Sequence, residues 1–302
     1  MNFPPGIPIL LESGYTTLTS GIIAYPNMLR LQPQERVPLL IDEVRFTTRS
    51  NSISGAGSAI DSSWQSRVRL HINDYDVTNG YIPITALCPI QQGVQQIKGT
   101  VGNVAGFVDP FYVTCKWRLP VPLLVPGGSW LSAELNRPNL TQTGPSISVN
   151  IAYAGRVLPS NFKLPRTVAV PYATAFAPTT GAAQYISRDL QLGNPFNVDL
   201  VTQRLILKQF TTQTFGSNQL GMESFVVIPD MALTLEGSFG QRAIVKKYTP
   251  LLDAASYFDR TMRFNAVLKH RDRFIADFYY SGGQTTYFPV LCLIGHRQER
   301  LS

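Results

Sequence analysis

The chain has 302 residues, of which 44% are hydrophobic and 15% are charged. This length predicts about two domains of roughly 150 residues, each able to bury a core without metals or disulfides, and the composition excludes a disordered chain. The net charge is +7, and the basic residues are dispersed along the chain with no run of five. Solvated surface charge is therefore favoured, with contact to anionic phosphates as the alternative.

Residues 1–36 are predicted to form an irregular N-terminal arm. Their prolines forbid a continuous helix, because proline lacks an amide hydrogen and clashes with the preceding turn. These prolines are Pro4, Pro5, Pro8, Pro26 and Pro33. The arm also carries apolar residues such as Ile7 and Leu10, which gain by lying on a preformed surface. We expect it either to reach a neighbouring subunit or to fray.

Short β-strand patterns fill residues 37–165, which we assign to a first β unit. The predicted strands cover 37–46, 66–73, 81–84, 111–119 and 147–153, and a hairpin that turns at Pro126-Gly127-Gly128 is predicted over 123–135. In the second of these, polar and apolar residues alternate, as is typical of a half-buried strand, and Arg67, Arg69 and His71 share one face. The 22 prolines and 23 glycines of the whole chain mark many turns and leave little room for long helices.

A second β unit is assigned to residues 166–302, beginning with a linker. Residues 157–195 are rich in proline, alanine and threonine and have weak periodicity, so the domain boundary is placed near residue 165. Strands are predicted over 198–208, 225–229, 231–235, 264–268, 274–279 and 288–294. One short helix is predicted over 249–261, because Thr249 can cap it, Pro250 suits its first position and Asp253 favours its dipole.

The two units end alike. An aromatic residue leads a strand, Trp130 in the first unit and Phe274 in the second, and a polar loop follows. A longer apolar strand then closes on a glycine and a nearby arginine, over residues 147–156 and 287–297. Three matched elements in the same order indicate one β unit used twice, with Trp130 and Phe274 in equivalent positions and pointing inward.

Many short strands at near-regular spacing predict an all-β fold of two tandem jelly-roll sandwiches, a double jelly roll, with one short helix in the second unit. The cysteines Cys88, Cys115 and Cys292 form no C-x-x-C pair, so neither a zinc site nor a disulfide framework is expected. Cys292 lies in an apolar strand and is expected to be a buried thiol. No apolar stretch reaches the roughly 18 residues needed to span a bilayer. With no signal-peptide pattern, the chain is expected to be soluble or peripheral and made in a reducing cytoplasm.

We predict no catalytic, cofactor-binding or metal site. The sequence lacks the common nucleotide-binding, hydrolase and zinc-protease motifs. Its histidines, His71, His270 and His296, lie on different predicted strands, and a metal triad of His71 with Asp74 or Asp76 would need a distant third ligand. We expect Asp74 and Asp76 to lie in a surface turn and not to form the catalytic carboxylate pair of a glycosidase.

A nucleic-acid-binding sheet would interleave aromatic and basic residues on one face. The segment Lys116-Trp117-Arg118 is the only hint of such a face. A core tryptophan between outward cations explains it better, so no sequence-specific nucleic-acid partner is expected.

The chain resembles the double jelly-roll major capsid proteins of tailless, membrane-containing icosahedral viruses. The resemblance depends on the two similar closing segments, residues 130–156 and 274–297, and on the helix at Thr249. This lineage includes tectivirus- and corticovirus-like phages and adenovirus, and the compact length is similar to that of small-capsid phages such as the lipid-containing phage of Flavobacterium. The resemblance covers residues 37–302. The first unit departs from the pattern because it shows no clear helix.

The resemblance implies a non-enzymatic structural protein of the bacteriophage virion. Homotrimers with pseudo-hexagonal outlines would tile an icosahedral capsid, with the termini near an internal membrane. The implied partners are further copies of the chain, penton or minor capsid proteins, and the membrane surface. The alternative is a viral receptor- or carbohydrate-binding β-sandwich module.

Overall fold

The computed structural model describes residues 3–18, 24–33, 37–50, 67–73, 75–87, 111–136, 147–176, 185–189, 197–211, 230–236, 242–248, 260–279 and 287–300. Within these ranges the chain forms nineteen strands and one helical turn. None of the described helical residues forms a helix long and apolar enough to cross a membrane.

The strands fall into two groups along the chain. The first group comprises β1 (Ile7–Glu12), β2 (Thr16–Leu18), β3 (Ala24–Leu31), β4 (Leu39–Ser50), β5 (Arg67–Ile72), β6 (Tyr75–Asp76), β7 (Thr78–Asn79), β8 (Ile82–Pro83), β9 (Phe111–Val125), β10 (Leu131–Asn136) and β11 (Ile147–Val157), with the helical turn α1 (Ile84–Leu87) after β8. The second comprises β12 (Thr167–Phe176), β13 (Tyr185–Asp189), β14 (Leu200–Thr211), β15 (Asp230–Glu236), β16 (Arg242–Tyr248), β17 (Arg260–Leu268), β18 (Arg273–Tyr279) and β19 (Tyr287–Arg300).

Each group folds into two facing sheets with the same strand order. In the first unit, sheet A has the order β1-β11-β4-β9 and sheet B the order β3-β10-β5-β6. In the second, sheet C has the order β12-β19-β14-β17 and sheet D the order β13-β18-β15-β16. Counting the eight main strands of each unit in chain order, both units pair the first, eighth, third and sixth in one sheet and the second, seventh, fourth and fifth in the other. This is the jelly-roll topology, so the predicted double jelly roll is confirmed.

The irregular arm predicted over residues 1–36 is wrong for its described part. Strand β1 pairs with β11, β2 pairs with β11, and β3 pairs with β10, so this segment supplies the first two main strands of the first unit. The prolines misled the prediction because Pro8 and Pro26 lie on edge strands, where a missing amide hydrogen removes no necessary ladder bond.

The linker predicted over residues 157–195 is also wrong in part, because β12 and β13 lie within it as the first two main strands of the second unit. The irregular connection between the groups is confined to residues 158–166. The helix predicted over 249–261 lies outside the described residues except for Arg260 and Thr261, which begin β17. The described helical turn, α1, belongs to the first unit.

The closing glycines of the two units, Gly155 and Gly295, occupy equivalent positions. Gly155 pairs with Ile41, and Asp42 is an extra residue that bulges from β4 beside this pair. Gly295 pairs with Thr202, and Gln203 bulges from β14 in the same way.

Both positions require glycine because the neighbouring backbone leaves no space for a side chain. A Cβ atom on Gly155 would collide with the backbone carbonyl of Leu40, and one on Gly295 with that of Val201. The bulge draws the two backbones together, so only glycine fits opposite it.

One apolar core extends through the first unit and into the second. Alternate residues of the first unit's strands, such as Val68, Leu70 and Ile72, point into it and are buried. The same cluster includes Val168, Val170, Ala173, Cys292 and Ile294 from β12 and β19. The two jelly rolls are thus packed against each other through a shared apolar layer.

Replacing Gly155 by alanine should lower the free energy of unfolding by about 1–3 kcal/mol, because the added methyl group meets a backbone carbonyl that cannot rotate away. Urea denaturation followed by tryptophan fluorescence measures this change. The control is Ala154→Val on the same strand, where a larger side chain at a partly exposed position should change stability by less than about 0.5 kcal/mol. A larger loss for Ala154→Val than for Gly155→Ala would contradict the close approach.

Candidate functional site

The seam between the two jelly rolls is the surface at which strands of the first unit pack against strands of the second. Strand β9, the outer strand of sheet A, packs against β12, the first strand of the second unit. Strand β7 leaves the first unit and adds to sheet C by parallel pairing of Thr78 with Ala173 and of Asn79 with Thr174. The Asn79 side chain also donates a hydrogen bond to Thr174 Oγ1 at 3.3 Å. Backbone pairing and apolar packing therefore hold the units together.

Arg297 on β19 lies at this seam, and its side chain is only 2% exposed. Its Nη2 donates to the backbone carbonyl of Asp76 at 2.9 Å, across the seam into the first unit. Its Nε donates to Glu299 Oε1 at 2.5 Å within the same strand. A buried guanidinium is stable only where its charge and its donors are matched, and this one links both units through those partners.

Tyr172 on β12 completes the buried polar group. Its ring lies beneath the Arg297 guanidinium, 5.6 Å from ring centroid to Cζ, which is a cation–π geometry. Burial raises the pKa of Tyr172 to about 12, so the phenol remains neutral at physiological pH. Tyr172 and Arg297 therefore stabilise the packing of the two units at the seam.

A second polar cluster covers the outward face of sheet B. Tyr81 donates its hydroxyl hydrogen to Glu134 Oε2 at 2.9 Å, and Arg69 forms a two-pronged ion pair with Asp76 at 3.0 Å. The Trp130 ring meets the edge of His71 at 5.0 Å between centroids, and Arg30 lies over the same tryptophan at 5.1 Å. Most of these charges are thus already paired with one another.

His71 sits at the centre of this cluster. Burial lowers its pKa below the usual value, and the nearby Glu134, 4.0 Å from His71 Nε2, offsets part of that shift. His71 is therefore predominantly neutral at pH 7. Among the residues that the structure describes, no three histidine, cysteine or acidic side chains are placed to hold a metal ion.

The other predicted site residues are dispersed. His296 lies on β19 beside Gln203, 3.3 Å from its amide nitrogen, and burial lowers its pKa. His270 lies in the exposed turn before β18. Asp76 is held by Arg69, and Asp74 and Cys88 lie outside the described residues. No catalytic or metal grouping of these residues is formed in the described part of the chain.

Two sequence interpretations of buried side chains are confirmed. Trp117 is buried between the exposed Arg118 and the partly exposed Lys116, as expected of a core tryptophan. Cys292 is a buried thiol, and so is Cys115.

The inward orientation predicted for Trp130 is wrong. Its ring lies on the outward face against His71 and Arg30, while the next residue, Leu131, takes the buried position. Leu131 also follows Val125 by the same number of residues as Phe274 follows Leu268, so the repeat alignment is displaced by one residue here. The side chain of Phe274 lies outside the described part of the structure.

Sequence reasoning missed Arg297 as a seam residue. The sequence pattern identifies Arg297 only as the arginine after a closing glycine. The available signal was weak: a cation follows the apolar run Val290 to Ile294 by three residues, and arginine is rarely fully buried unless it is paired.

Replacing Arg297 by methionine should lower the free energy of unfolding by about 3 kcal/mol. The change keeps an apolar stem but leaves the Asp76 carbonyl and the Glu299 carboxylate without their donor. Urea denaturation monitored by fluorescence measures the loss. Arg300→Met, an exposed position on the same strand, is the control and should change stability by less than about 0.5 kcal/mol. Equal effects of the two substitutions would refute the structural role of the buried cation.

No family model matches the chain, and no curated protein sequence matches it. Solved structures do. The crystal structure of the MCP of Sulfolobus Turreted Icosahedral Virus is 12% identical, covers 97% of both chains and gives a TM-score of 0.59. A chain of the atomic structure of that virus is 10% identical, covers 97% of this chain and 91% of its own, and gives 0.60. PNGase F, a glycosylasparaginase from Flavobacterium meningosepticum, is 10% identical over 96% of both chains with a TM-score of only 0.39.

The likeness to the two viral chains extends over nearly the whole length of each protein. Together with the duplicated strand order, this likeness shows that the chain has the fold of the double jelly-roll major capsid proteins.

Proposed function

We propose that the chain is the major capsid protein of an icosahedral virus with an internal membrane. Three copies form a homotrimer of pseudo-hexagonal outline, and these trimers tile the capsid. The role is structural and requires no catalytic group. The chain would be made in the host cytoplasm and reside in the virion, beside penton and minor capsid proteins.

The observation that carries this proposal is the use of one jelly-roll topology twice in a single chain. Three copies of such a chain present six similar barrels, so a trimer offers six nearly equivalent sides to its neighbours. Repeated, nearly equivalent contacts are what a closed shell built from one protein requires. The likeness over 97% of this chain to the MCP of Sulfolobus Turreted Icosahedral Virus supports the same role.

The purified full-length chain should form trimers of the 33.4 kDa subunit, and these should assemble into closed shells at high protein concentration. Native mass spectrometry measures the trimer, and negative-stain electron microscopy shows the shells. A chain that remains monomeric at high concentration under native conditions would contradict the proposal. The binding-module alternative would then be the better explanation.

Contact with the internal membrane is supported by an accumulation of exposed cations at one end of the second unit. These cations are Lys163, Arg166, Lys269, Arg271 and Arg300. They share this end because Thr167 pairs with Arg300, and Leu200 pairs with both Leu268 and Arg297. The exposed Asp199 at the same end offsets one of these charges.

The N-terminal strand also begins at this end, since Ile7 pairs with Val157, the last residue before the connection. Phe3 lies against Phe162 of that connection, with 6.1 Å between ring centroids. A basic surface that faces anionic lipid head groups gains about 1 kcal/mol for each cation near the membrane. We therefore propose that this end of the subunit faces the membrane, by charge and without recognition of a nucleic-acid sequence.

The double variant Lys269→Gln/Arg271→Asn should bind phosphatidylserine vesicles about thirty-fold more weakly than the wild type, since two cations contribute about 2 kcal/mol. Vesicle co-sedimentation at low salt measures this. Asparagine is chosen at position 271 because that residue has a φ of 68°, which asparagine tolerates.

The matched control, Arg118→Gln/Arg204→Gln, removes the same charge from exposed positions within the sheets and should retain wild-type binding. Equal weakening by both double variants would show that net charge, and not this end of the subunit, governs the contact.

A further inference from the structure

We infer that the outer strands β1 and β17 are the two halves of one head-to-tail interface, in which β17 of one copy packs against β1 of the next. This inference rests on the proposed homotrimer and specifies which surfaces form it. The contact would repeat, between two chains, the packing that already joins β9 to β12 within one chain.

The first half of the comparison matches β1 with β12, the first main strands of the two units. Ile9 pairs with Gly155, and Tyr172 pairs with the equivalent Gly295, which fixes the alignment. Ile7 then corresponds to Val170, and Leu10 to Ala173, and a proline occupies the same place in both strands, Pro8 and Pro171.

The burial of these equivalent residues differs sharply. Val170 and Ala173 are 6% and 0% exposed and belong to the core shared by the two units. Ile7 and Leu10 are 72% and 49% exposed. Strand β12 has the first unit packed beside it, whereas Ile7 and Leu10, which project to opposite faces of β1, lack such a neighbour.

The second half of the comparison matches β9 with β17, the sixth main strands. Leu40 pairs with Leu124, and the equivalent Val201 pairs with Val267, so Leu124 corresponds to Val267. Leu124 is 4% exposed and belongs to the shared core, whereas Val267 is 53% exposed. The next residue in each strand, Val125 or Leu268, is fully buried in its own unit, so the difference is confined to the outward face.

These matches determine the direction of the contact. Within the chain, a sixth strand meets a first strand. The exposed counterparts are a first strand, β1, at one side of the chain and a sixth strand, β17, at the other. A second copy can therefore cover Val267 on the outward face of β17 with its own β1, and each copy uses two different surfaces. Exposed apolar edge strands are otherwise liable to aggregate, so a specific partner for each removes that liability.

The experiment uses two full-length variants, each of which blocks one surface. Ile7→Asp/Leu10→Asp places charge on β1 and leaves β17 intact, and Val267→Asp does the reverse. Leu164→Asp is the control, because Leu164 is an apolar residue, 45% exposed, in the connection between the units. Circular dichroism and thermal melting confirm that each variant folds, and native mass spectrometry gives the assembly state.

We expect each blocked variant to lose the trimer completely and remain a monomer, while Leu164→Asp remains a trimer. An equimolar mixture of the two blocked variants should form a 1:1 dimer and nothing larger, since it retains one intact β17 and one intact β1 per pair. A trimer formed by Val267→Asp alone, or a mixture that stays monomeric, would overturn the head-to-tail contact while leaving the proposed capsid role standing. A wild-type monomer would overturn both.

A cysteine cross-link gives a second test that does not depend on disruption. Leu10→Cys and Val267→Cys chains, co-expressed and oxidised, should give a covalent dimer on a denaturing gel. Each variant oxidised alone should not, because like surfaces do not meet in a head-to-tail contact. A dimer of equal yield from Leu10→Cys alone would indicate a two-fold symmetric contact between β1 strands and would overturn the inference.

Discussion

The fold depends on one constraint, the insertion of the last strand of each unit between its first and third strands. Strand β11 lies between β1 and β4, and β19 lies between β12 and β14. These pairings join residues that are 76 to 150 positions apart along the chain, so the barrel is complete only when the whole unit has been made. The closing glycines sit at this insertion, where the bulged third strand approaches most closely.

The same constraint determines which strands remain at the edges. With the last strand inside the sheet, the first and sixth strands of each unit become its outer strands. In the middle of the chain two of these, β9 and β12, cover each other, and Arg297 and β7 secure the junction. The buried cation is stable there because a backbone carbonyl, a carboxylate and a neutral ring surround it, so it also favours one relative placement of the two units.

The sequence revealed the second half of each unit better than the first. Strands β9 to β11 and β17 to β19 are long, apolar and separated by clear turns, and both sets end on a glycine with the same steric role. That local pattern was sufficient to recognise the duplication and the all-β class. It was not sufficient to orient Trp130, because a side chain just before a strand can point to either face.

The opening strands were missed for a physical reason. Strands β1 and β12 each carry a proline, at Pro8 and Pro171, and proline normally marks a break. Each strand is held by its pairing with the last strand of its unit, which is remote in sequence, so no local pattern could show it. The seam cation and the outward polar face of sheet B likewise depend on contacts between distant residues, such as Arg297 with the Asp76 carbonyl.

The covered and the open outer strands together constrain how copies can associate. A chain whose first and sixth strands already meet once carries, at its two ends, the partners for a second contact of the same kind. Within one chain, a rotation relates the first jelly roll to the second. If the same rotation relates the second jelly roll of one chain to the first of the next, the assembly closes into a ring. If the two rotations differ, the same head-to-tail contact generates an open helical filament. Closure therefore depends on the agreement between the internal seam and the external one, and the two units are alike in the strand register opposite Gly155 and Gly295.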